Sequence, residues 1–258
     1  MDIQELLNIM EKLRGEKGCP WDREQTRNSL KPYIIEEAYE LIEAIEEKDP
    51  EKIKEELGDL LFQIVFQCQI AKERSEFEMS DVVAAIGQKM TSRHPHVFGN
   101  GECKTPEEVI RQWEVLKKNE GKLRESLLEG VPKAMSSLLK AHRLQKRAAQ
   151  AGFDWPKIED VIVKVDEEMN ELKEALKSGS RDEMEGELGD VIFMLVNLSR
   201  FMNVNPEDAH RKTIGKFIRR FRHIEMKAAE QGRELSDMTL EEMDKLWDEA
   251  KKKEDKSD

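Results

Sequence analysis

The stretch from Ile34 to Ile45 reads IIEEAYELIEAI, and the stretch from Val165 to Leu176 reads VDEEMNELKEAL. Glu36, Glu37, Glu40 and Glu43 of the first recur, 131 positions on, as Glu167, Glu168, Glu171 and Glu174. A second acidic pair follows each set. Glu56 and Asp59 lie in KEELGDLLFQIVFQ from Lys54, and Glu187 and Asp190 lie in EGELGDVIFMLVNL from Glu185. At ~100° per residue, Ile34, Ala38, Leu41, Ile42 and Ile45 share one helical stripe, with Glu36, Glu40 and Glu43 roughly opposite. A solvated acidic face explains any one of these glutamates. Glu37, at the stripe edge beside Leu41, is harder to explain in that way. From Leu57 to Ala71 the next helix is apolar on nearly every side, which predicts burial, yet Glu56 and Asp59 share one arc of it. Asp59 stands nine residues past Pro50, too deep for stabilisation by the helix N-terminus. Buried anions need a counter-charge or a metal.

Each half therefore offers four hard oxygen donors: Glu37, Glu40, Glu56 and Asp59, then Glu168, Glu171, Glu187 and Asp190. No His or Cys accompanies them, which suits Mg²⁺ or Mn²⁺ and not zinc. A di-iron site needs two Glu-x-x-His motifs, and the one present, Glu207 to His210, lies outside these helices. A magnesium site of this kind points to phosphate chemistry. Cations stand at helical spacing to meet phosphates: Lys89 with Arg93, and Lys216 with Arg220. Trp113 with Lys117, and Trp247 with Lys251, repeat the same interval. An aromatic plus a cation can cradle a base and its phosphates, although a helical Trp is more often core and a Lys four residues on is usually solvated. GNGECKT at 99–105 is one residue short of a phosphate loop and has Cys103 where Gly is required. The HPH run at 94–96 reads as loop surface.

The elements that must position these groups are helices, arranged twice. CPWD at 19–22 resembles GFDW at 152–155, and TPEEVIRQWEVLKK from Thr105 matches TLEEMDKLWDEAKK from Thr239. Thr105 with Glu108, Thr239 with Glu242, and Ser180 with Glu183 have the spacing of capping boxes. Asp49-Pro50 marks a helix start. Gly58 and Gly189, inside otherwise helical runs, each cost about 1 kcal/mol against Ala. Such a glycine marks either a close approach to the backbone or tight helix packing. The sequence predicts an all-α chain of two tandem repeated helical domains, 1–122 and 123–258, joined near Gly121–Pro132.

Composition narrows the function. The net charge of −12 disfavours a nucleic-acid partner held by phosphate contacts. Three scattered cysteines, Cys19, Cys68 and Cys103, argue for a reducing, cytoplasmic setting. The N-terminal MDIQELLNIM lacks the basic start of a signal peptide, and no apolar run is long enough for a membrane span. Each half also has more apolar helix than a short helical domain buries alone, notably 57–71 and 191–201, which predicts a homodimer.

The ordered set E-E-x-x-E then E-x-x-D, present twice with CPWD upstream, resembles the MazG nucleoside triphosphate pyrophosphohydrolases of the all-α NTP pyrophosphatase group, over nearly the whole chain. The resemblance implies cleavage of nucleoside triphosphates between the α- and β-phosphates to a monophosphate and pyrophosphate. It also implies Mg²⁺, breadth over ribo- and deoxynucleotides, and dimers with a four-helix bundle around each site. It assigns metal binding to Glu168, Glu171, Glu187 and Asp190, and nucleotide binding to Lys216, Arg220, Trp247 and Lys251. Glu167 would position metal or water. The first-half counterparts are Glu37, Glu40, Glu56, Asp59, Lys89, Arg93, Trp113, Lys117 and Glu36. The halves differ where Glu55 precedes Glu56 but Gly186 precedes Glu187. The family pattern favours the C-terminal half as the active one, while the extra acid favours the first. A nucleotide-binding regulator or helical interaction module is the other class, disfavoured by intact E-x-x-D pairs in both halves.

Overall fold

Two helical hairpins carry the acidic segments, and in both the second helix starts on a side-chain cap. In a computed structural model, which describes residues 2–119 and 126–254, α3 (Lys31–Glu47) turns into α4 (Pro50–Glu73). Likewise α9 (Ile158–Ser178) turns into α10 (Arg181–Phe201). Asp49 accepts hydrogen bonds from the backbone N–H groups of Glu51 and Lys52, with Pro50 at the first helical position. Ser180, its counterpart 131 residues on, accepts from the Glu183 N–H, which satisfies a donor that helix geometry leaves free. Both turns need left-handed backbone one residue earlier. Gly179 supplies it at φ +73°, but the first turn places Lys48 there, at φ +58°.

The chain divides into two compact units, Met1–Lys122 and Leu123–Asp258. In the first, α1 (Ile3–Arg14) packs beside α4 and carries the short α2 (Pro20–Glu24) against it, followed by α5 (Met79–Arg93), α6 (Pro95–Phe98) and α7 (Pro106–Asn119). Met10, Leu30, Val65, Phe66 and Ile70 form the buried core, flanked by Leu6, Leu7, Tyr33 and Phe62. Arg14 ties α1 to α4. Its guanidinium reaches Glu73 at 2.7 Å and lies 5.3 Å from the centre of the Phe66 ring. In the second unit, α8 (Ser137–Gln150) packs on α10, and α11 (Pro206–Glu230) packs on α12 (Leu240–Glu254). Gln145 Nε2 donates to the Phe193 carbonyl across the α8–α10 contact. No strand occurs among the described residues. Among the described residues no helix is long and apolar enough to cross a membrane.

Three expectations need correction. The helix from Leu57 to Ala71 is not buried all round. Val65, Phe66, Ile70 and Ala71 are enclosed, but Leu57 is 52% exposed and Ile64 43%. The equivalent Leu188 and Leu195 are half exposed too. An all-round apolar pattern records every surface a helix is suited to cover, and one chain covers only part of it. Gly58 and Gly189 meet no close neighbour, since a Cβ at either would find open space. Finally, His94 and His96 are half-buried, not surface loop, and the His94 ring stands edge-on to Trp113 at 5.0 Å. Of the expected capping boxes, Thr239 and Glu242 exchange both bonds. Thr105 caps Glu108, whose side chain reaches the Lys104 N–H instead. Glu183 turns to Ser178.

Candidate metal centre

The hairpin geometry converges acids from two helices in each unit. Glu37 on α3 faces Glu56 and Asp59 on α4, with one carboxylate oxygen from each lying within 4.8 Å of the others. In the second unit, Glu168 and Glu171 on α9 meet Glu187 on α10 within the same limit. Each trio omits one member of the expected four. Glu40 is exposed and stands outside the first trio, although its charge still acts on Glu37 and Glu56. Asp190 is exposed and stands outside the second, although its charge acts on Glu187. Glu36 and Glu167 face solvent on the flank of each cluster.

Such close anions hold one another's protons. Glu37 titrates above the ordinary carboxylate range, first because burial disfavours its charge and then because Asp59, Glu40 and Glu56 repel it. Glu56 is raised by partial burial and by Glu40 and Asp59. Glu187 is raised by partial burial, then by Glu171, Asp190 and Glu168. Glu187 also leaves Oε2 buried without a hydrogen-bond partner. An unpartnered buried carboxylate oxygen among two further acids is what a divalent, oxygen-seeking cation would satisfy. A cleft of about 500 Å³ opens beside this trio, lined by Glu167, Asn170, Glu171, Ser178, Glu183 and Glu187.

Lys164 was not anticipated. Its ammonium lies 2.8 Å from Glu168 and 2.8 Å from Glu167, so the second cluster carries its own counter-charge. Tyr33 occupies the equivalent place in the first unit. Aligning the two halves residue by residue would have exposed this difference.

The expected cationic groups sit on other helices. Lys216 is exposed and Arg220 half-buried on α11. Arg220 lies 5.5 Å from the Trp247 ring centre of α12 and is paired at 2.8 Å with Glu254. Phe217 tilts against Trp247 at 5.3 Å, and Lys251 is exposed one turn further along α12. In the first unit, Lys89 is exposed and Arg93 half-buried on α5, and Trp113 buries its Nε1 without a partner. The side chain of Lys117 lies outside the described residues. Arg220 and Trp247 thus come together with each other and with Glu254. Glu254, near the end of α12, carried no signal in the sequence beyond its charge.

Comparison with known proteins bears on this arrangement. The family described as MazG nucleotide pyrophosphohydrolase domain matches the chain twice, at residues 25–98 and 157–225. These spans contain both acidic hairpins. The chain is 47% identical over 250 residues to a nucleoside triphosphate pyrophosphohydrolase/pyrophosphatase from Thermotoga maritima, covering 96% of this chain and 95% of that one. It is 41% identical over 257 residues to a nucleoside triphosphate pyrophosphohydrolase from Escherichia coli strain K12, covering 98% of each. A Bacillus subtilis protein named only as uncharacterised is 47% identical over 252 residues, or 97% of this chain and 52% of its own length.

Proposed function

Since the chain belongs to the MazG nucleotide pyrophosphohydrolase family, we propose that it hydrolyses nucleoside triphosphates to monophosphate and pyrophosphate, with Mg²⁺ and across ribo- and deoxynucleotides. The observation that carries this reading is the pair of carboxylate trios, above all the orphaned Glu187 Oε2. The trios fit Mg²⁺ or Mn²⁺: all donors are carboxylate oxygens, they are close, and their mutual repulsion is relieved by a cation. Glu37, Glu40, Glu56 and Asp59 would hold it in the first unit, and Glu168, Glu171, Glu187 and Asp190 in the second. A bound divalent ion would neutralise the triphosphate and acidify water.

The remaining work falls to side chains. Glu36 and Glu167, on the solvent flank of each cluster, are placed to orient the attacking water. A neighbouring carboxylate accepts its proton. Lys216, Arg220 and Lys251, with Lys89, Arg93 and Lys117 in the first unit, are assigned to the phosphates, where positive charge stabilises the departing pyrophosphate. Trp247 and Trp113 would take the nucleoside. Because α12 holds Arg220 against Glu254, this assignment requires Arg220 to leave that pairing when nucleotide binds.

The exposed apolar residues of the acidic hairpins, Leu57, Ile64, Leu188 and Leu195, support a homodimer in which a second copy completes a four-helix bundle at each site. A monomer by light scattering at micromolar concentration would count against it. The reducing setting implied by three unpaired cysteines supports a cytoplasmic location. The direct test of function is a panel of nucleoside triphosphates with Mg²⁺, products resolved by anion exchange. Monophosphate with pyrophosphate is expected. Diphosphate with orthophosphate would mean attack at the γ-phosphate and a different enzyme.

A further inference from the structure

Glu167 and Glu168 are neighbours in sequence with different surroundings. Glu168 is 7% exposed and joins Glu171 and Glu187 in the second trio. Glu167 is exposed and lines the cleft of about 500 Å³ beside that trio. A single ammonium spans the two. Lys164 Nζ lies 2.8 Å from Glu167 Oε1 and 2.8 Å from Glu168 Oε1. Lys164 itself does not line the cleft. Its partners sit three and four residues on, the intervals that share a helix face.

Helix stability does not account for this bridge. A lysine placed before its glutamate is the weaker orientation of a helical ion pair, and exposed pairs contribute little. Burial accounts for the Glu168 contact, since an enclosed carboxylate needs a counter-charge. It does not account for the Glu167 contact, because Glu167 is open to water. The first unit lacks the bridge. Tyr33 there is packed against the core and stands edge-on to Trp21 at 5.8 Å, so Glu36 and Glu37 share no ammonium at that place. Glu37 is half-buried where Glu168 is buried.

We propose that Lys164 is a positioning residue for hydrolysis in the second unit. It ties the exposed Glu167 carboxylate to the buried Glu168, and so fixes the attacking water relative to the cation that Glu168 holds. The proposal rests on the reading that Glu168 binds metal and Glu167 orients water. An exposed glutamate samples several staggered rotamers, and the shared ammonium selects among them. A displacement of about 1 Å at a reacting group costs up to about a hundredfold in rate. Lys164 acts through Glu167 and not on the substrate, in keeping with its place outside the cleft lining. Glu36 carries the same charge as Glu167 without this tether. The first unit is therefore the slower one, however well it binds metal.

The test uses full-length protein carrying Asp59→Asn, so that turnover reports mainly on the second unit. Pyrophosphate release from ATP is measured with Mg²⁺, and Mg²⁺ affinity is measured by titration calorimetry without nucleotide. Lys164→Met should lower kcat by about tenfold to a hundredfold with KM little changed. Mg²⁺ should bind as tightly or more tightly, because the acids lose a competing cation. Lys164→Arg, which keeps a cation within reach of both carboxylates, should recover most of kcat. Added to Glu167→Gln, Lys164→Met should cost little more, because its effect passes through Glu167. A rise in KM, a weaker Mg²⁺ site, or fully additive losses in the double variant would overturn the inference, since Lys164 would then hold phosphate or the fold. Glu167→Gln alone tests the premise. If it lowers kcat while Lys164→Met does not, the inference is overturned and the reading of Glu167 stands. If it leaves kcat unchanged, that reading fails and the inference fails with it.

Discussion

Lys164 holds its ammonium 2.8 Å from the Glu168 carboxylate, whereas Glu37, the equivalent acid of the first unit, has Tyr33 at that place. One cluster therefore carries an internal cation and the other does not. A lysine in that position stabilises the acids before metal arrives and competes with metal for them afterwards. Replacing it should make the second cluster behave like the first. Lys164→Tyr is expected to lower the melting temperature in EDTA and to enlarge the gain produced by saturating Mg²⁺. Equal gains in the two proteins would show that Lys164 does not meet the metal-binding acids in solution.

The raised carboxyls give a pH dependence with a definite sign. Glu37, Glu56 and Glu187 titrate above the usual value near 4.5. An acid whose pKa is higher folded than unfolded destabilises the fold while ionised, and this penalty vanishes as the pH falls through the raised values. Metal-free protein should therefore gain stability on acidification from neutral pH towards that usual value. The increment due to Mg²⁺ should shrink over the same window, because protons replace it. Glu242 acts oppositely and lower down. Arg233, then the Thr239 backbone N–H, hold it at about 2, so its contribution is lost as pH falls from the usual value through about 2. Melting curves in EDTA and in Mg²⁺ across this range check both signs. A steady loss of stability from neutral pH downward in EDTA would contradict the first.

How much of this was legible in the sequence follows from what each signal measures. The hairpins were readable because Asp49, Pro50 and Ser180 act locally, through backbone N–H groups two or three residues away. The duplication was readable because the acids recur at a fixed interval. Side-chain direction was not. Glu40 and Glu171 occupy equivalent positions, yet only Glu171 joins its trio, and Asp59 joins where Asp190 does not. Those choices depend on rotamers at the ends of flexible chains, which spacing does not encode. Leu57 and Leu188 looked like core because an apolar residue reports a preference for burial without naming what buries it.

Activity should divide unequally between the units. Asp190→Asn keeps the shape of the side chain and removes one charge from the second cluster. Turnover is expected to drop by orders of magnitude if that cluster stabilises the transition state. Asp59→Asn should cost less, and the double substitution should be inactive with an unchanged helical circular-dichroism spectrum. The reverse ranking would move catalysis to the first unit, where Glu55 adds an acid that Gly186 does not.

Glu254 competes for a cation assigned to phosphate. It pairs with Arg220 at 2.8 Å and with Arg219 at 3.2 Å, and Arg220 holds its carboxyl below the usual range. Glu254→Gln should release Arg220 and lower KM for nucleoside triphosphate several-fold, with kcat little changed. Arg220→Gln should raise KM. If Glu254→Gln leaves KM unchanged, or Arg220→Gln does, Arg220 is a structural tie between α11 and α12.

Lys48 closes the α3–α4 turn in a left-handed conformation that Gly179 adopts freely at the α9–α10 turn. For a residue with a side chain, that conformation costs roughly 1–2 kcal/mol. The strain sits within two residues of the Asp49 cap, on the hairpin that carries Glu37, Glu56 and Asp59. Opening of this turn releases the strain, so the first hairpin should breathe more often than the second. Its amides near 47–52 should then exchange with deuterated solvent faster than those near 178–183. A ligand clasped between α3 and α4 would leave by the same motion. The two halves, alike in their acids, would then hold what they bind for different lengths of time.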